Sequence, residues 1–365
     1  MRICIISPYA PQTGGVPVHT ESLIDTLSGK HEVHLITYGK MGREDDRITI
    51  HEIPVANMKF LRGASFFLGT LFKLRSLCRE MKFDVIHAQY MHPPGTVAVK
   101  FRALFGKNEK IIVTAHGSDL LSLAKGRFGR WMVKKTGNLS DTLICVSDHL
   151  AGEALKAGIN RKKISVVHNG LDEKELPQSS REKARKVLGL GSEKIVTFAG
   201  KLSEAKGADI FLLLAEHLSG RNAGMKFLMI GDGPLAVKLK EDTKKKGLSG
   251  IVEFVGPKEH GETLEYMKAS DVVVIPSRIE GFGLTALEAA LMDVPVIASG
   301  NGALPEVLCA ESISGNMPHD VMKALNDRKF MEVIVKGNRK KAEKFTLRRM
   351  VNETENIYRS AKRRS

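Results

Sequence analysis

Glu280 and Glu288 stand eight positions apart in DVVVIPSRIEGFGLTALEAALMDVPVIAS, residues 271–299, with GFG between them. DVVVIPS reads as a buried strand and GLTALEAALM as a helix, so Glu280 falls in the loop at the strand's carboxyl end. Gly281 and Gly283, on either side of Phe282, let a ligand approach the backbone closely. The amides near Gly283 and Leu284 open the helix, and a helix N-terminus is a natural seat for a diphosphate. Glu288 lies about 7 Å further along, given a rise of ~1.5 Å per residue. A carboxylate there can accept two hydrogen bonds from a diol such as a ribose. Neither carboxylate suits a bare phosphate. Both make sense with hydroxyl-rich groups on the two sides of a diphosphate, a ribose near Glu288 and a second sugar near Glu280. That describes a sugar nucleotide. A lone pair of glutamates at this spacing would more simply be a solvated helix face with a cap. The strand before, the glycine turn and the VPVIAS strand after set this pair apart.

A diphosphate also calls for cations. FAGKLSEAKGADIF, residues 198–211, supplies Lys201 at a strand end and Lys206 ahead of a helix. Lysines are mostly solvated, so the position after a strand singles these out. No G-x-x-x-x-G-K-[ST] run occurs, and IGDGP at 230–234 has two glycines where a dinucleotide fingerprint needs three. In the N-terminal half, SPYAPQTGGVPVHT follows the first strand. Gly14 and Gly15 leave amides exposed ahead of a helix whose first turn accommodates Pro17, an anion site or simply turn geometry. After KIIVTA comes His116-Gly117-Ser118-Asp119. Ser118 or Asp119 is a fitting helix cap. The chemical reading puts His116 on a cleft floor, donating a ring N–H to a substrate oxygen.

The elements that must hold these residues are short apolar runs alternating with amphipathic segments. Strands are predicted at 2–7, 32–37, 84–88, 110–115, 141–146 and 163–167, and again at 194–200, 226–231, 251–256, 271–276 and 294–299. Such alternation predicts an α/β protein with parallel sheets covered on both faces. At 365 residues with 42% hydrophobic content, the chain can fill two cores. Residues 168–193 are polar, contain Pro177 and end in glycines, which reads as the linker between them. Two similar sheets would leave a cleft, with ligands beyond the carboxyl ends of the strands. Cys4, Cys78, Cys145 and Cys309 are scattered, so neither a zinc site nor a disulfide framework is indicated and a reducing cytosol fits. MRICIISPYA reads as a first strand rather than a signal peptide, and ASFFLGTLF at 64–72 is too short to span a bilayer.

At this point the chain resembles the GT-B-fold glycosyltransferases of family 4, retaining enzymes that use nucleotide sugars. The matching pieces are, in order, GGV at 14–16, HGSD at 116–119, VSDHL at 146–150, VVHNGLD at 166–172, AGKLSEAKG at 199–207, IGDGP at 230–234, VEFVGP at 252–257 and SRIEGFGLTALEAALMDVPVIAS at 277–299. The resemblance covers nearly the whole chain. It implies two Rossmann-like, doubly wound domains facing across a cleft, residues 1–170 on the acceptor side and 171–345 binding the nucleotide sugar, with a last helix, about 346–365, packing back on the first. It implies that Gly15 approaches the donor phosphate or sugar and that His116 contacts the donor sugar. Lys201 and Lys206 would neutralise the departing diphosphate, which two lysines and a helix N-terminus can stabilise without metal. Glu280 would hold sugar hydroxyls, with Gly281 and Phe282 beside it. Gly283 and Leu284 would bind phosphate, Glu288 the ribose, and the stretch around Gly256 the base. No metal and no cofactor beyond the nucleotide-sugar substrate are implied. Three departures stand out. Lys201 replaces the usual arginine and loses its bidentate fork. The segment after LPEV, 308–320, is short, which predicts loss of an edge element from the second sheet. Asp293 replaces a usual glycine.

The acceptor is expected to be a glycan or a lipid-linked sugar. The formal charge of +15 favours an anionic partner. Residues 58–83 and 124–137 mix bases with apolar residues, as an ordinary surface helix does, or as one lying on an anionic membrane does. We expect a cytoplasmic protein, peripheral at the inner face of the membrane. A nucleic-acid partner is not expected, since it leaves the glutamates unexplained and an aromatic stacking platform is missing. A nucleotide-sugar epimerase or a catalytically silent scaffold of the same fold are the alternatives.

Overall fold

The computed structural model describes residues 1–7, 14–38, 46–55, 59–106, 108–220 and 224–360. Residues 8–13 of the first glycine loop, Met58 of the 58–83 segment and the last five residues lie outside them. The chain divides into two compact units, Met1–Gly170 with Leu347–Ser365, and Leu171–Thr346.

The first unit runs β1 (Arg2–Ile6), α1 (Gly15–Ser28), β2 (Glu32–Tyr38), β3 (Thr49–Ile53), α2 (Lys59–Glu80), β4 (Val85–Gln89), α3 (Thr96–Phe105), β5 (Lys110–Ala115), α4 (Ser118–Leu121), α5 (Arg127–Leu139), β6 (Thr142–Cys145), α6 (Asp148–Lys156) and β7 (Ile164–Val166). Its seven strands are parallel in the order β3-β2-β1-β4-β5-β6-β7. The order reverses between β1 and β4, the switch point where open α/β sheets hold ligands. Right-handed crossovers then put α2, α3, α5 and α6 on one face and α1 on the other. Ile3, Ile5, Leu35, Ile112 and Ile144 pack against Leu23, Ile24 and Leu27 of α1.

The second unit runs α7 (Arg181–Leu188), β8 (Lys194–Ala199), α8 (Ala208–Ser219), β9 (Met225–Ile230), α9 (Ala236–Lys245), β10 (Val252–Gly256), α10 (His260–Lys268), β11 (Val272–Ile275), α11 (Leu284–Leu291), β12 (Val296–Ala298), α12 (Leu304–Val307), α13 (Met317–Asn326) and α14 (Arg328–Ala342). Its five strands are parallel, ordered β10-β9-β8-β11-β12. The chain then returns to the first unit as α15 (Leu347–Ser360), which buries Met350, Val351 and Tyr358 beside α1.

The expected α/β class with two parallel sheets is what the structure shows. Three local expectations need correction or detail. β3 was not expected: TIHEI is short, half polar and on the sheet edge, so it lacks the continuous apolar run of a strand buried on both faces. The 168–193 segment is not a free linker. α7 within it is tied to the second unit by Arg181 and Arg185, which donate to Asp271 at 2.8 and 2.7 Å. Its sequence hid this, since among its residues only Ala184 is buried. The short 308–320 segment adds no full strand to the five-stranded sheet among the described residues. Ile313 makes a single parallel bridge to Ala298, and the Ser314 amide donates to Ala298 at 2.8 Å, where a further strand would pair.

Asp293, in the usual glycine position, sits at φ 58° after α11. A left-handed conformation costs an L-residue about 1 kcal/mol or more, and its carboxylate lies at the negative end of the helix. Asp293→Gly relieves both but loosens the unfolded chain. The expected net gain is about 0.5–1 kcal/mol, read from the midpoint of urea unfolding at constant slope.

Candidate active site

In the second unit, the candidate residues gather at the carboxyl ends of β8 and β11. After β8 the chain passes Lys201, exposed and without an ion-pair partner among the described residues, and makes a short 3-10 turn, Glu204–Lys206. Gly207 ends that turn at φ +71°, and a Cβ there would come within 2.0 Å of the Pro276 carbonyl oxygen. Only glycine lets the two loops meet this closely. The approach brings the Lys206 ammonium to the Glu280 carboxylate, 74 residues away, where it donates to both oxygens at 2.9 Å. The Ser277 hydroxyl adds a third bond at 3.1 Å. Glu280 is buried while the Lys206 side chain is 38% exposed, so the pair has one covered and one open end.

Gly283, at φ +97°, precedes α11 with no side-chain cap, and the first turn of that helix holds no acid. Its starting amides at Gly283 and Leu284 are thus left for an anion. Phe282 turns inward, its ring edge-on to Phe345 at 5.3 Å, so what it offers the site is backbone. Gly281 is buried in the same turn. Gly256 ends β10 at φ +81°, its carbonyl accepting from the Gly231 amide at 2.9 Å.

Glu288 is buried on α11, and burial pushes its pKa up to about 7. Its nearest charged neighbour, His260 Nε2 at 3.6 Å, has its own pKa lowered by burial. Near neutral pH the two form a poorly charged pair rather than an ion pair. A half-ionised carboxyl with no strong internal partner is costly, and such groups cluster where a ligand supplies the missing bonds.

In the first unit, His116 follows β5. Its Nε2 lies 2.8 Å from Gln89 Oε1 at the end of β4. The amide oxygen can only accept, so Nε2 carries the proton and Nδ1 is left as an acceptor. The ring N–H expected to reach a substrate oxygen is therefore taken by Gln89, and His116 offers a substrate an accepting nitrogen instead. Burial, then His19 and His87, hold its pKa well below the usual histidine range, so the ring is neutral. The edge of His19, from α1, meets it at 4.8 Å between centroids. His19 is itself buried, with its pKa pushed down to about 4 by burial. Its Nδ1 is buried without a hydrogen-bond partner, as is Oδ1 of nearby Asn169. Behind them, His87 bonds Tyr358 of α15 at 2.6 Å and Thr114 at 2.7 Å, which pins α15 beneath the site.

Neither Ser118 nor Asp119 caps α4: Gly117 takes that position with no side-chain cap bond, and Asp119 lies in the first turn. Its carboxylate accepts from the amides of His116, Gly117 and Met91 at 3.0, 2.9 and 2.9 Å, joining the loops after β4 and β5. Burial outweighs these bonds and raises its pKa to about 6. Tyr90, in the β4 loop, takes φ 137°, strain that an L-residue carries where the surroundings over-determine it. Gly15 is the exposed first residue of α1, behind Gly14 at φ 130° and without a side-chain cap. His19, Gln89, Tyr90, Asn169 and His260 were not singled out from sequence. Gln89 and Tyr90 directly follow a strand, the same signal that marked His116.

Each unit is a parallel α/β sheet with charged and glycine-rich loops at its strand ends, a two-domain α/β architecture. The family model for Glycosyltransferase Family 4 matches residues 13–175 and that for Glycosyl transferases group 1 matches 180–341. The chain belongs to the GT-B glycosyltransferases of family 4 type. It is 28% identical over 369 residues to an uncharacterized glycosyltransferase of Methanocaldococcus jannaschii, covering 98% of each chain. It is 25% identical over 373 residues to N-acetyl-alpha-D-glucosaminyl L-malate synthase of Bacillus anthracis, covering 98% of this chain and 97% of the relative. The structure of Anabaena Alr3699/HepE in complex with UDP and glucose matches at a TM-score of 0.79 and 17% identity, over 99% of this chain and all of the other.

Proposed function

We propose that this glycosyltransferase moves a hexosyl group from a UDP- or GDP-sugar to a hydroxyl of a glycan or lipid-linked sugar, with retention and without metal. One observation carries the reading: the open-ended Lys206–Glu280 pair, the uncapped start of α11 and the under-bonded Glu288 share one set of strand ends. The Bacillus relative, a glucosaminyl L-malate synthase by name, and the UDP- and glucose-bound neighbour support a nucleotide-sugar donor. In this reading the ribose sits on Glu288, the base near Gly256 and the diphosphate on the Gly283 and Leu284 amides. As the bond from the anomeric carbon to the diphosphate breaks, Lys201 and Lys206 take up the developing negative charge. These cations are why we assign no metal to the step. Glu280 accepts hydroxyls of the transferred sugar, and His116 Nδ1 accepts another. Gly15 gives its amide to the donor. The acceptor oxygen bonds the anomeric carbon on the face the diphosphate leaves, and its proton passes to the departing phosphate.

The test is thermal shift with UDP-glucose, UDP-GlcNAc, GDP-mannose and ADP-glucose, each with EDTA. One of the UDP- or GDP-sugars is expected to raise Tm by linkage, by up to the equivalent of about 2.7 kcal/mol at a hundredfold excess over Kd. No shift with any of the four would contradict the reading and favour a silent scaffold.

A further inference from the structure

The helices α2, α3 and α5 lie on one face of the first unit, α3 packing against both others. Their sequences hold eleven basic residues and one acid, Glu80, a net of ten out of the chain's formal +15. Among the described residues, the ion pairs of these helices reduce to Arg102 with Asp141. The same three helices carry seven of the twelve exposed large hydrophobic side chains found among the described residues. Leu68 and Phe72 share a stripe of α2, and Leu104 lies in the last turn of α3. On α5, Phe128 and Trp131 are 74% and 54% exposed, flanked by exposed Arg127, Arg130, Lys134 and Lys135. The next helix on this face, α6, breaks the pattern with two acids and one base.

Solvated lysines need no apolar company, and stray exposed leucines need no explanation. Apolar side chains interleaved with unpaired cations across neighbouring helices are different: the two together fit a surface that is greasy inside and anionic outside. We propose that this face docks on an anionic phospholipid bilayer, with Phe128 and Trp131 at the headgroup–acyl boundary and the cations on lipid phosphates. The inference is independent of which donor the enzyme uses. A single-stranded nucleic acid would use free ring faces for stacking. Here Phe128 and Trp131 are stacked on each other at 5.8 Å, and the Lys135 ammonium lies over the Trp131 ring at 5.0 Å. Leu68, Phe72 and Leu104 would have no role on a phosphate groove. Among the described residues no helix is long and apolar enough to cross a membrane, so the contact is one of surface insertion.

Trp131 is the only tryptophan of the chain, so its fluorescence reports this face alone. The full-length protein is co-sedimented with vesicles of phosphatidylcholine and of an equal mixture with phosphatidylglycerol, and the Trp131 emission is recorded. The expected result is binding to the mixed vesicles only, with a blue shift and quenching by brominated lipid. Arg127→Glu with Arg130→Glu is expected to weaken binding by more than about tenfold, at roughly 1 kcal/mol per base. Phe128→Ser is expected to reduce the blue shift. Both variants alter exposed side chains and are expected to keep the donor-induced thermal shift. That shift separates a failed docking surface from a failed donor site. No binding to the mixed vesicles overturns the proposal, and so does binding without a change at Trp131. Tighter binding to a single-stranded oligonucleotide at the same salt overturns it in favour of nucleic acid.

Discussion

Glu280→Gln is expected to lower kcat for sugar transfer by about a thousandfold or more while the protein stays folded, as for loss of a group aimed at the reacting centre. The side chain keeps its size and its bond to Ser277 but loses the charge that holds Lys206. Lys206 is partly exposed, so water takes over much of that charge and the stability loss stays near 1 kcal/mol. Lys206→Met is expected to be as inactive but less stable, by about 2–3 kcal/mol. It leaves the buried carboxylate with the serine alone. Steady-state kinetics and urea unfolding on both variants check this. A merely structural pair would give the stability losses with kcat intact.

Glu288→Gln is expected to stabilise the free protein and cripple donor binding. The carboxyl has its pKa raised from 4.5 to about 7 in the folded protein, so the folded state holds the proton more tightly. That contribution is fully present below the unfolded pKa and is lost as pH rises through about 7. Above that point the wild type bears a burial cost of up to ~3 kcal/mol, which glutamine does not. The gain from Glu288→Gln is therefore largest at pH 8 and absent below pH 4.5. Donor KM is expected to rise about tenfold or more with kcat little changed, as for lost uniform binding. In the wild type, donor KM falls from pH 6 to pH 8 as the carboxyl ionises. Urea unfolding at both pH values, with KM and kcat for the stabilising donor, checks this. Equal stability of the two proteins at pH 8 would sink the account of Glu288.

Much of the fold is legible because its strands are buried on both faces and read as unbroken apolar runs. KIIVTA and DVVVIP, for example, become β5 and β11. TIHEI and REKARKVL are not legible by that rule. One is an edge strand, and the other is a helix held by two arginines on Asp271 rather than by an apolar face. The site splits the same way. Glu280, Lys201 and Lys206 stand out because they follow strands or precede a helix, and Glu288 by its spacing from Glu280 across the glycine turn. What sequence spacing cannot show is that Lys206 and Glu280 meet, because their contact depends on Gly207 pressed against Pro276. Nor does it show that Gln89 accepts the ring N–H of His116, since that bond joins the ends of two neighbouring strands of a parallel sheet, 27 residues apart.

The central claim is that the strand ends of the second unit hold the nucleotide sugar. Amide hydrogen exchange with and without the donor that raises Tm tests it most directly. The account predicts protection concentrated in residues 199–207 and 280–290, with the Gly283 and Leu284 amides slowed by bound diphosphate. Protection centred elsewhere in the unit, with those two stretches unchanged, would contradict it.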